Sequence, residues 1–329
     1  MKVSIYDVAK KAGVSVVTVS RVINQSTSVR ETNRNKLLQA MRELNYTPNA
    51  AARSLAKGST NVIGLVVPGY LDSFLFQVFT AIEKELEKRG YFLALSLDTR
   101  RDTGDAECYL FQQDRVDGVI LLTPLFEDRD IPELKRKGIP FVVVDSQSGT
   151  GNFPSIMVDN RKAGKEAALH LADLGHRCVA HVGGPMDLLT SREREEGFLA
   201  GLKERGLEPA FIYHGDYCTG TGQEALRTQL SRLTLPAAIF AGDDNIAFGI
   251  IDEARAQGLR VPDDLSVIGF DDHPFSSELN PTLTTFRQPA DELSKKAVEL
   301  LFKMMEGQTK RFSALKLEAE MIKRRSTAK

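Results

Sequence analysis

The sequence predicts a small all-α head followed by an α/β body made of two doubly wound parallel-sheet lobes. The first 60 residues carry two short amphipathic helices separated by a glycine turn. The remainder alternates apolar, β-branched runs with helical stretches of about ten to fifteen residues, which indicates parallel sheets covered on both faces. About eight or nine such strands are too many for one small doubly wound unit, so two lobes fit them better.

Length and composition place the chain among ordinary globular proteins. It has 329 residues, of which 42% are hydrophobic and 26% charged, and roughly 100–200 residues per domain gives two or three domains. Cys108, Cys178 and Cys218 are odd in number and far apart, which excludes a disulfide framework and a CxxC metal clip. No apolar run reaches the ~18–20 residues of a membrane span, and no signal-peptide pattern begins the chain. We therefore expect a cytoplasmic protein without membrane association, metal or cofactor.

The net charge of −1 conceals an asymmetry between head and body. Residues 1–60 contain ten Lys and Arg against three acidic residues, a net charge of +7, and the remaining residues carry −8. A basic head on an acidic body is expected when one domain meets phosphate and the other does not. The charge by itself does not distinguish a phosphate-binding surface from a basic surface that contacts only solvent.

The head begins with a helix whose two ends are both marked in the sequence. Ser4 is predicted to cap this helix, with Asp7 completing a capping box. Gly13 suits the left-handed position that ends it, and Ser15 is predicted to cap a second helix. A third helix is predicted near residues 32–44, with the inward side chains Leu37, Leu38, Met41 and Leu44.

Two short helices joined by a glycine-containing turn form a helix-turn-helix, whose second helix enters the DNA major groove. In this interpretation Val19, Val22 and Ile23 face the first helix, and Arg21 faces outward. A tri-helical packing module without DNA is the alternative, but the local charge and the tight turn favour DNA. Residues 49–59 are alanine-rich and too short to form a stable helix alone, so we expect them to order only when something packs on them.

The body is predicted to carry its ligand site at the ends of its strands. The predicted strands are the apolar runs 62–68, 91–97, 118–122, 141–144, 178–182, 211–213, 237–241 and 266–270, with a last strand at 314–321. Ligands of open parallel sheets bind outside the carboxyl ends of the strands. Polar and glycine-rich residues follow most of these runs, so the binding residues are expected there.

Ten short blocks, in order along essentially the whole chain, resemble the LacI/GalR family of bacterial repressors. In the head they are YDVA, AGVS, TVSRVIN, LNYTPN and ARSLA, at residues 6–9, 12–15, 18–24, 44–49 and 52–56. In the body they are VDGVI, VDN, LGHR, VIGFDD and LTTFRQP, at residues 116–120, 158–160, 174–177, 267–272 and 283–289. One block alone would be a weak signal, whereas the set is specific.

The resemblance implies a division of the chain into three parts. These are a helix-turn-helix DNA-binding domain at residues 1–48, a hinge helix and linker at 49–60, and an effector-binding and dimerisation domain at 61–329. The body would then be periplasmic-binding-protein-like, with lobe 1 at about 61–158 and 289–329 and lobe 2 at about 159–288. A homodimer is expected, because no leucine heptad pattern follows the last strand to support a tetramer.

The resemblance also assigns the residues that bind DNA. The family's two principal base-reading positions fall on Val16 and Val17, which are apolar and could contact thymine methyl groups; burial in the head is the alternative. Leu55 matches the hinge leucine that wedges into a minor-groove step and kinks the duplex. The implied DNA-binding set is Ser4, Tyr6, Ser15, Val16, Val17, Thr18, Ser20, Arg21, Asn24, Tyr46, Asn49, Ala52, Arg53 and Leu55. Two heads on a two-fold axis predict a pseudo-palindromic operator in double-stranded DNA.

In the effector cleft, Arg194 matches the family's ligand-gripping arginine, whose guanidinium can donate two parallel hydrogen bonds. Tyr217 matches an aromatic residue that stacks on a sugar or base, and Asp271 matches an acceptor for hydroxyl or amine groups. The implied effector-binding set is Asp72, Phe74, Thr123, Asp145, Arg194, Tyr217, Asp243, Asp271 and Gln288. For each, the alternative is an ordinary strand-end residue that caps a neighbouring helix.

Two departures from the family's pattern change the predicted chemistry of the cleft. Residues 72–75 are Asp-Ser-Phe-Leu where Asn-Pro-Phe-Phe is common, and residues 242–244 are Gly-Asp-Asp where Ala-Asn-Asp is usual. Together with Asp145, Asp244 and Asp271 these changes predict an acidic cleft, and ionised carboxylates cannot donate hydrogen bonds. We therefore expect a donor-rich effector, either a neutral sugar or polyol or a ligand with an amine, rather than a phosphorylated compound.

The sequence thus predicts a sequence-specific transcriptional repressor, located at the nucleoid, that a small carbohydrate-like effector controls allosterically. A solute-binding protein would explain the two lobes but not the basic head. An enzyme on a doubly wound fold is disfavoured, because the GxGxxA match at residues 220–225 has no strand leading into it. Neither GxSxG, HExxH nor GxxxxGK[ST] occurs in the chain.

Overall fold

A computed structural model describes residues 3–23, 28–47, 58–69, 72–98, 108–112, 115–149, 152–308 and 314–329. The chain divides into two compact units, Met1–Thr60 and Asn61–Lys329.

The first unit is the predicted head. Its helices are α1 (Ile5–Ala12), α2 (Val16–Ile23) and α3 (Glu31–Glu43). The capping box of Ser4 and Asp7 is present, and Gly13 ends α1 at a φ of 67°, a left-handed conformation that glycine adopts without strain. Ser15 caps α2, because its Oγ accepts a hydrogen bond of 3.2 Å from the Thr18 N–H.

A small apolar core holds the three helices together. Its buried members are Val8, Ala9, Val19, Val22, Leu37 and Ala40. One inward prediction is wrong: the Leu38 side chain is 40% exposed. Successive helical residues lie 100° apart, so the turn that buries Leu37 carries its neighbour toward solvent.

Lobe 1 of the body is a six-stranded sheet with every strand pair parallel. Its strands are β1 (Val62–Pro68), β2 (Phe92–Asp98), β3 (Gly118–Leu122), β4 (Phe141–Val144), β5 (Ser155–Val158) and β11 (Leu315–Leu317), in the order β11-β5-β4-β3-β1-β2. Its helices are α4 (Ser73–Glu87), α5 (Glu127–Lys137) and α10 (Ala290–Met305). Helices α4 and α10 pack on one face and α5 covers the other, so the strands are buried between two apolar layers.

Lobe 2 repeats this plan with four parallel strands. They are β6 (Val179–Gly183), β7 (Ile212–His214), β8 (Ala237–Ala241) and β9 (Leu265–Ile268), in the order β7-β6-β8-β9. Helices α6 (Asn160–Asp173) and α7 (Leu189–Glu204) pair on one face, and α8 (Thr219–Gln229) and α9 (Asp244–Ala256) pair on the other.

The C-terminal segment departs from the predicted lobe boundary. The predicted strand 314–321 is two short strands, β11 in lobe 1 and β12 (Glu320–Ile322), and β12 pairs antiparallel with β10 (Thr285–Arg287). Beyond it, the chain packs on lobe 2 rather than lobe 1, since Val267 N–H donates to the Ser326 carbonyl at 2.8 Å. Strand β9 lies at a sheet edge, and an edge leaves backbone groups that need partners.

Within the residues that the structure describes, no helix combines the length and apolar character needed to span a bilayer.

Candidate DNA-binding surface and effector cleft

Helix α2 presents part of the predicted DNA-binding set on the surface of the head. The Val17 side chain is 60% exposed and Tyr6 is 70% exposed, and Arg21 is exposed as well. Val16 is half-buried and packs against the head core. The two valines therefore differ: Val17 has the free surface that a thymine methyl contact requires, whereas Val16 shares its surface with the core.

Several polar members of the set already have partners within the head. The Ser4 Oγ donates to Asp7 Oδ2 at 2.7 Å, and the Ser15 and Thr18 hydroxyls lie 2.9 Å apart. Ser20 is half-buried, and Tyr46 packs against the head core. Asn24, Asn49, Ala52, Arg53 and Leu55 lie outside the described residues.

In the body, all nine residues of the predicted effector set line one inner cavity between the two lobes. Three further residues complete its wall, so that the lining is Asp72, Phe74, Leu75, Thr123, Asp145, Leu188, Thr190, Arg194, Tyr217, Asp243, Asp271 and Gln288. They meet because the parallel strands of both lobes end at this cleft, where ligands of such sheets bind.

Two of the aspartates cap helices and line the cavity at the same time. Asp72 is the N-cap of α4 and accepts from the Leu75 N–H at 2.7 Å. Asp243 is the N-cap of α9 and accepts from the Ile246 N–H at 2.8 Å. At these two positions the same side chain therefore caps a helix and lines the cavity, because a carboxylate has enough acceptor sites for both.

Three cavity residues sit in left-handed backbone conformations that disfavour side chains other than glycine. The φ angles are 46° at Thr123, 58° at Asp145 and 105° at Asp271. Each residue follows a strand, so the left-handed backbone conformation sets the direction in which its side chain leaves the end of the strand. Strained backbone of this kind concentrates at functional sites.

Arg194 is buried at the centre of the cavity wall and is partly committed to the protein. Its Nε donates to Asn160 Oδ1 at 2.9 Å, and its Nη1 donates to the Gly242 carbonyl at 2.6 Å. Its Cζ lies 3.6 Å from the centroid of the Phe270 ring. A ligand therefore meets at most three of the five guanidinium N–H groups, fewer than a freely extended arginine would offer.

Gly197 lies three residues after Arg194 on α7 and has a structural reason to be glycine. A Cβ atom at Gly197 would lie 1.9 Å from the carbonyl oxygen of Arg161 on α6. The glycine thus lets α6 and α7 approach closely. That approach brings Asn160, at the start of α6, within hydrogen-bonding distance of Arg194.

Burial raises the pKa of every carboxyl group in the cavity. The pKa rises to about 6 for Asp72, to about 6 for Asp145 and to about 7 for Asp243. Burial also raises the pKa of Asp271, and the charge of Asp271 raises those of Asp72 and Asp243 further. Near neutral pH the cavity therefore mixes carboxyl groups with carboxylates.

Asp244 does not join this acidic lining, contrary to the prediction. Its carboxylate accepts hydrogen bonds from Ser276 Oγ at 2.5 Å, Thr285 Oγ1 at 2.6 Å and the His273 N–H at 2.7 Å. His273 and Ser276 precede β10, and Thr285 is its first residue. Asp244, on α9, therefore fastens the segment that leads into β10 to lobe 2. Its pKa is also raised well above the ordinary value by burial.

A wider outer cavity of about 730 Å³ adjoins the inner one. It shares Asp72, Leu188 and Tyr217 with the inner cavity and adds Ser73, Leu125, Pro185, Asp187, Asp216, Asn245 and His273. Neither lysine nor arginine is among these described lining residues. The approach to the cleft is therefore acidic, like its interior.

With this geometry in place, comparison with known proteins identifies the chain's family. Residues 4–49 match the model of "Bacterial regulatory proteins, lacI family", and residues 168–327 match a periplasmic binding protein-like domain. The chain is 34% identical to catabolite control protein A of Priestia megaterium, over 99% of this chain and 100% of the relative. The chain belongs to the LacI family of bacterial regulatory proteins. It is also 33% identical to the transcriptional repressor PurR of Klebsiella pneumoniae (strain 342), over 99% and 97% of the two chains.

Solved structures of LacI-family proteins share the fold. The lac repressor dimer bound to operator and the anti-inducer ONPF superposes with a TM-score of 0.88 at 29% identity, over 100% of both chains. A complex of the transcriptional regulator CelR with cellobiose gives a TM-score of 0.73 at 30% identity, over 99% and 100%. The predicted fold class and family are thereby confirmed, and the chain is a transcriptional regulator with a ligand-binding domain.

The glycine motif at residues 220–225 has a structural use in this LacI-family chain. A Cβ at Gly222 would lie 2.0 Å from the Ile246 carbonyl oxygen, so the motif allows α8 and α9 to pack closely. Among the described residues, no group of three or more His, Cys, Asp and Glu side chains could hold a metal ion.

Sequence reasoning missed three cavity residues and the partner of Arg194. Leu75, Leu188 and Thr190 carry no chemical signal of their own, because two are apolar and all belong to ordinary helix starts. Asn160 was part of the VDN block at residues 158–160, and an amide after a strand could have been assigned to the cleft on that ground.

Proposed function

We propose that this chain is a sequence-specific DNA-binding repressor whose operator affinity is controlled by a small carbohydrate-like effector in the inner cavity. The observation that supports the proposal most strongly is that all nine residues assigned to the effector line one cavity between the lobes. Two lobes that move against each other can transmit binding to a second site. The head would then gain or lose its hold on DNA as the lobes change position.

The charges of the cavity support a neutral polyhydroxylated effector or one that carries an amine. Four carboxyl groups surround a single guanidinium that has already donated two hydrogen bonds to the protein. Hydroxyl and ammonium groups can donate to carboxylates, whereas a phosphate would bring further negative charge into a buried acidic site. The ring of Tyr217 supplies a face on which a sugar ring can stack.

Thermal shift of the full-length protein tests this assignment. The panel pairs ligands that differ in one group: D-glucose, D-glucosamine and glucose 6-phosphate, with the matching galactose and ribose series, polyols and nucleosides. A binding sugar at a hundredfold excess over its dissociation constant adds about 2.7 kcal/mol of apparent stability. A response confined to phosphorylated compounds or nucleosides would contradict the proposed chemistry and leave the family assignment intact.

Two variants connect such a response to the inner cavity. Arg194→Ala should abolish the response, whereas Arg192→Ala, which changes a neighbouring side chain that binds the Met186 carbonyl, should preserve it. If Arg194→Ala fails to fold, Asp271→Asn keeps the side-chain shape and should still weaken the response. A full response in Asp271→Asn would argue against binding in this cavity.

For the head, we propose that α2 reads the operator through Val17 with support from Arg21, and that Leu55 wedges into the minor groove. The exposure of Val17 and Arg21 and the net charge of +7 in residues 1–60 support this placement. Selection of binding sites from random DNA with the full-length protein should recover a pseudo-palindrome. Leu55→Ala should then weaken specific binding far more than non-specific binding; equal losses would remove the wedge from the proposal.

We further propose that the protein acts as a homodimer through the β2 edge of lobe 1. Strand β2 is the last strand of the sheet, and Leu95 and Leu97 are 45% and 48% exposed there. Phe76, on the neighbouring helix α4, is 56% exposed. Exposed apolar side chains on a sheet edge are typical of an association surface. Sedimentation of the wild-type protein should show a dimer, and the double variant Leu95→Asp, Leu97→Asp should sediment as a monomer. If the double variant is also a dimer, the interface lies elsewhere.

A further inference from the structure

One side chain, Gln147, connects the two lobes beside the inner cavity. It follows β4 in lobe 1, and its Oε1 accepts a hydrogen bond of 2.8 Å from the Leu189 N–H, the first residue of α7 in lobe 2. Its Nε2 donates to the carbonyl oxygen of Asp145 at 2.9 Å and lies 3.3 Å from Asp145 Oδ2. The same amide therefore binds a cavity aspartate of lobe 1 and the helix of lobe 2 that carries Arg194.

The loop that carries Gln147 is held firmly on lobe 1. The buried carboxylate of Glu127, on α5, accepts three hydrogen bonds from this loop: from Ser146 Oγ at 3.0 Å, from the Gln147 N–H at 2.5 Å and from the Ser148 N–H at 3.1 Å. Three bonds to one carboxylate fix the backbone of the loop. Gln147 is thus presented to lobe 2 from a rigid support rather than from a free loop.

Helix α7 depends on this contact because it has no cap of its own. Leu188 occupies the N-cap position without a side-chain hydrogen bond, and the first turn of α7 contains no acidic residue. The first N–H groups of a helix lack partners inside the helix, and capping side chains usually satisfy them. Here the cap comes from the opposite lobe, so separating the lobes would leave the Leu189 N–H without this acceptor.

The inner cavity is narrow in the same arrangement. Its open volume is about 40 Å³, which is room for water but far below the roughly 300 Å³ at which ligand sites begin. A sugar-sized effector would therefore need a wider inner cavity, or would have to extend into the outer cavity of about 730 Å³ that adjoins it. The Gln147 contact between the lobes lies directly beside the cavity, at Asp145 and Leu189.

We propose that Gln147 is a positioning residue that latches the two lobes together at this separation, so that an effector that widens the inner cavity binds against it. The effector part of this statement rests on the proposed function of the cleft. A state that cannot accept the ligand lowers apparent affinity in proportion to its population. The latch would thereby set how much effector is needed for a response.

Hydrogen exchange of the ligand-free, full-length protein tests the bond without any effector. In Gln147→Ala, the Leu189 amide should exchange roughly threefold to tenfold faster, the range expected for one neutral hydrogen bond. In Gln147→Glu the acceptor remains at a helix N-terminus, and protection of Leu189 should be retained. Ser148→Ala is the matched control, because it alters the same loop and leaves Gln147 in place.

A distance measurement separates a latch from a mere helix cap. Spin labels at the exposed Cys218 of lobe 2 and at Asp128→Cys of lobe 1 report the distance between the lobes. Cys108 and Cys178 are replaced by alanine so that they carry no label. Labelled chains are diluted into unlabelled chains so that only distances within one chain are measured. Gln147→Ala should lengthen the mean distance, and Ser148→Ala should not. Faster exchange at Leu189 with an unchanged distance would overturn the latch, and so would unchanged exchange. Either result would leave the effector assignment standing, because no effector is present.

Discussion

In the head, those side chains assigned to DNA that the structure describes lie on or near the surface of a core made of valine, alanine and leucine. In the cleft, most side chains assigned to the effector are themselves buried, among them Asp145, Asp243 and Arg194. Burying a charge costs free energy unless it is paired, whereas an exposed valine costs the fold little. The head can therefore change its binding surface without losing stability, whereas the cleft maintains its binding groups at the expense of stability.

Asp243→Asn should give the largest effect, and it should stabilise the protein. Burial raises the folded-state pKa of Asp243 from 3.8 to about 7, so the folded state holds this proton more tightly than the unfolded chain. The wild-type free energy of unfolding therefore falls as pH rises from about 4 through 7. Asparagine keeps the cap acceptor and removes the charge, so the gain at pH 8 should reach up to about 4 kcal/mol.

Urea unfolding of the full chain between pH 4 and 8 measures this gain. It should shrink steadily toward pH 4, where the carboxyl group of the wild type is protonated in the folded state. Asp128→Asn, on the exposed face of α5, serves as the control and should change little. A gain of equal size at every pH would mean that ionisation of Asp243 is not its cause.

Leu37→Ala should destabilise the head by about 3 kcal/mol, because it leaves a cavity in a core of six buried residues. Leu38→Ala makes the same chemical change one residue away, on a side chain that is 40% exposed, and should stay within about 0.5 kcal/mol. Hydrogen exchange of α3 in the full-length protein compares the two. Similar losses would mean that Leu38 contributes to the core.

Ser4→Ala should cost the head about 1 kcal/mol, because it removes the side-chain half of the capping box. Faster exchange of the Asp7 amide would report the loss. Thr47→Ala, at an exposed position after α3, should leave that amide unchanged.

Val17→Ser should have the smallest effect on stability, within about 0.5 kcal/mol, while it changes the operator sequence that the protein selects. Val19→Ser, which buries a hydroxyl in the head core, should instead unfold the head. Site selection from random DNA, with circular dichroism as the check on folding, distinguishes them. An unchanged preference with Val17→Ser would indicate that this valine does not contact bases.

Much of the fold could be predicted because strands of a parallel sheet that are buried on both faces are continuous apolar runs. The predicted runs 62–68, 118–122, 141–144 and 237–241 coincide with β1, β3, β4 and β8. Strands β5 (Ser-Ile-Met-Val) and β10 (Thr-Phe-Arg) were missed, because neither is an uninterrupted apolar, β-branched run like the equally short β4 (Phe-Val-Val-Val). The cavity residues were predicted from their match to the family's motifs, and not from local hydrophobic patterns.

The roles of Asp244 and Gln147 could not be predicted for a different reason. Asp243 and Asp244 are identical in type and adjacent, but the first caps α9 and the second lies one helical step further round, where it meets Ser276 and Thr285. Gln147 reaches a backbone group 42 residues away. Such pairings depend on how two lobes meet, which local patterns do not encode.

The C-terminal residues have a consequence for the order of events during synthesis. Strand β11 completes one sheet, β12 pairs with β10, and Ser326 bonds to β9, so neither lobe has all its native contacts until translation has passed Ser326. The head makes its core from residues near the start of the chain and has no such dependence. Because domains generally fold as units while the ribosome is still elongating the chain, the head can be native on a nascent polypeptide whose body is still incomplete.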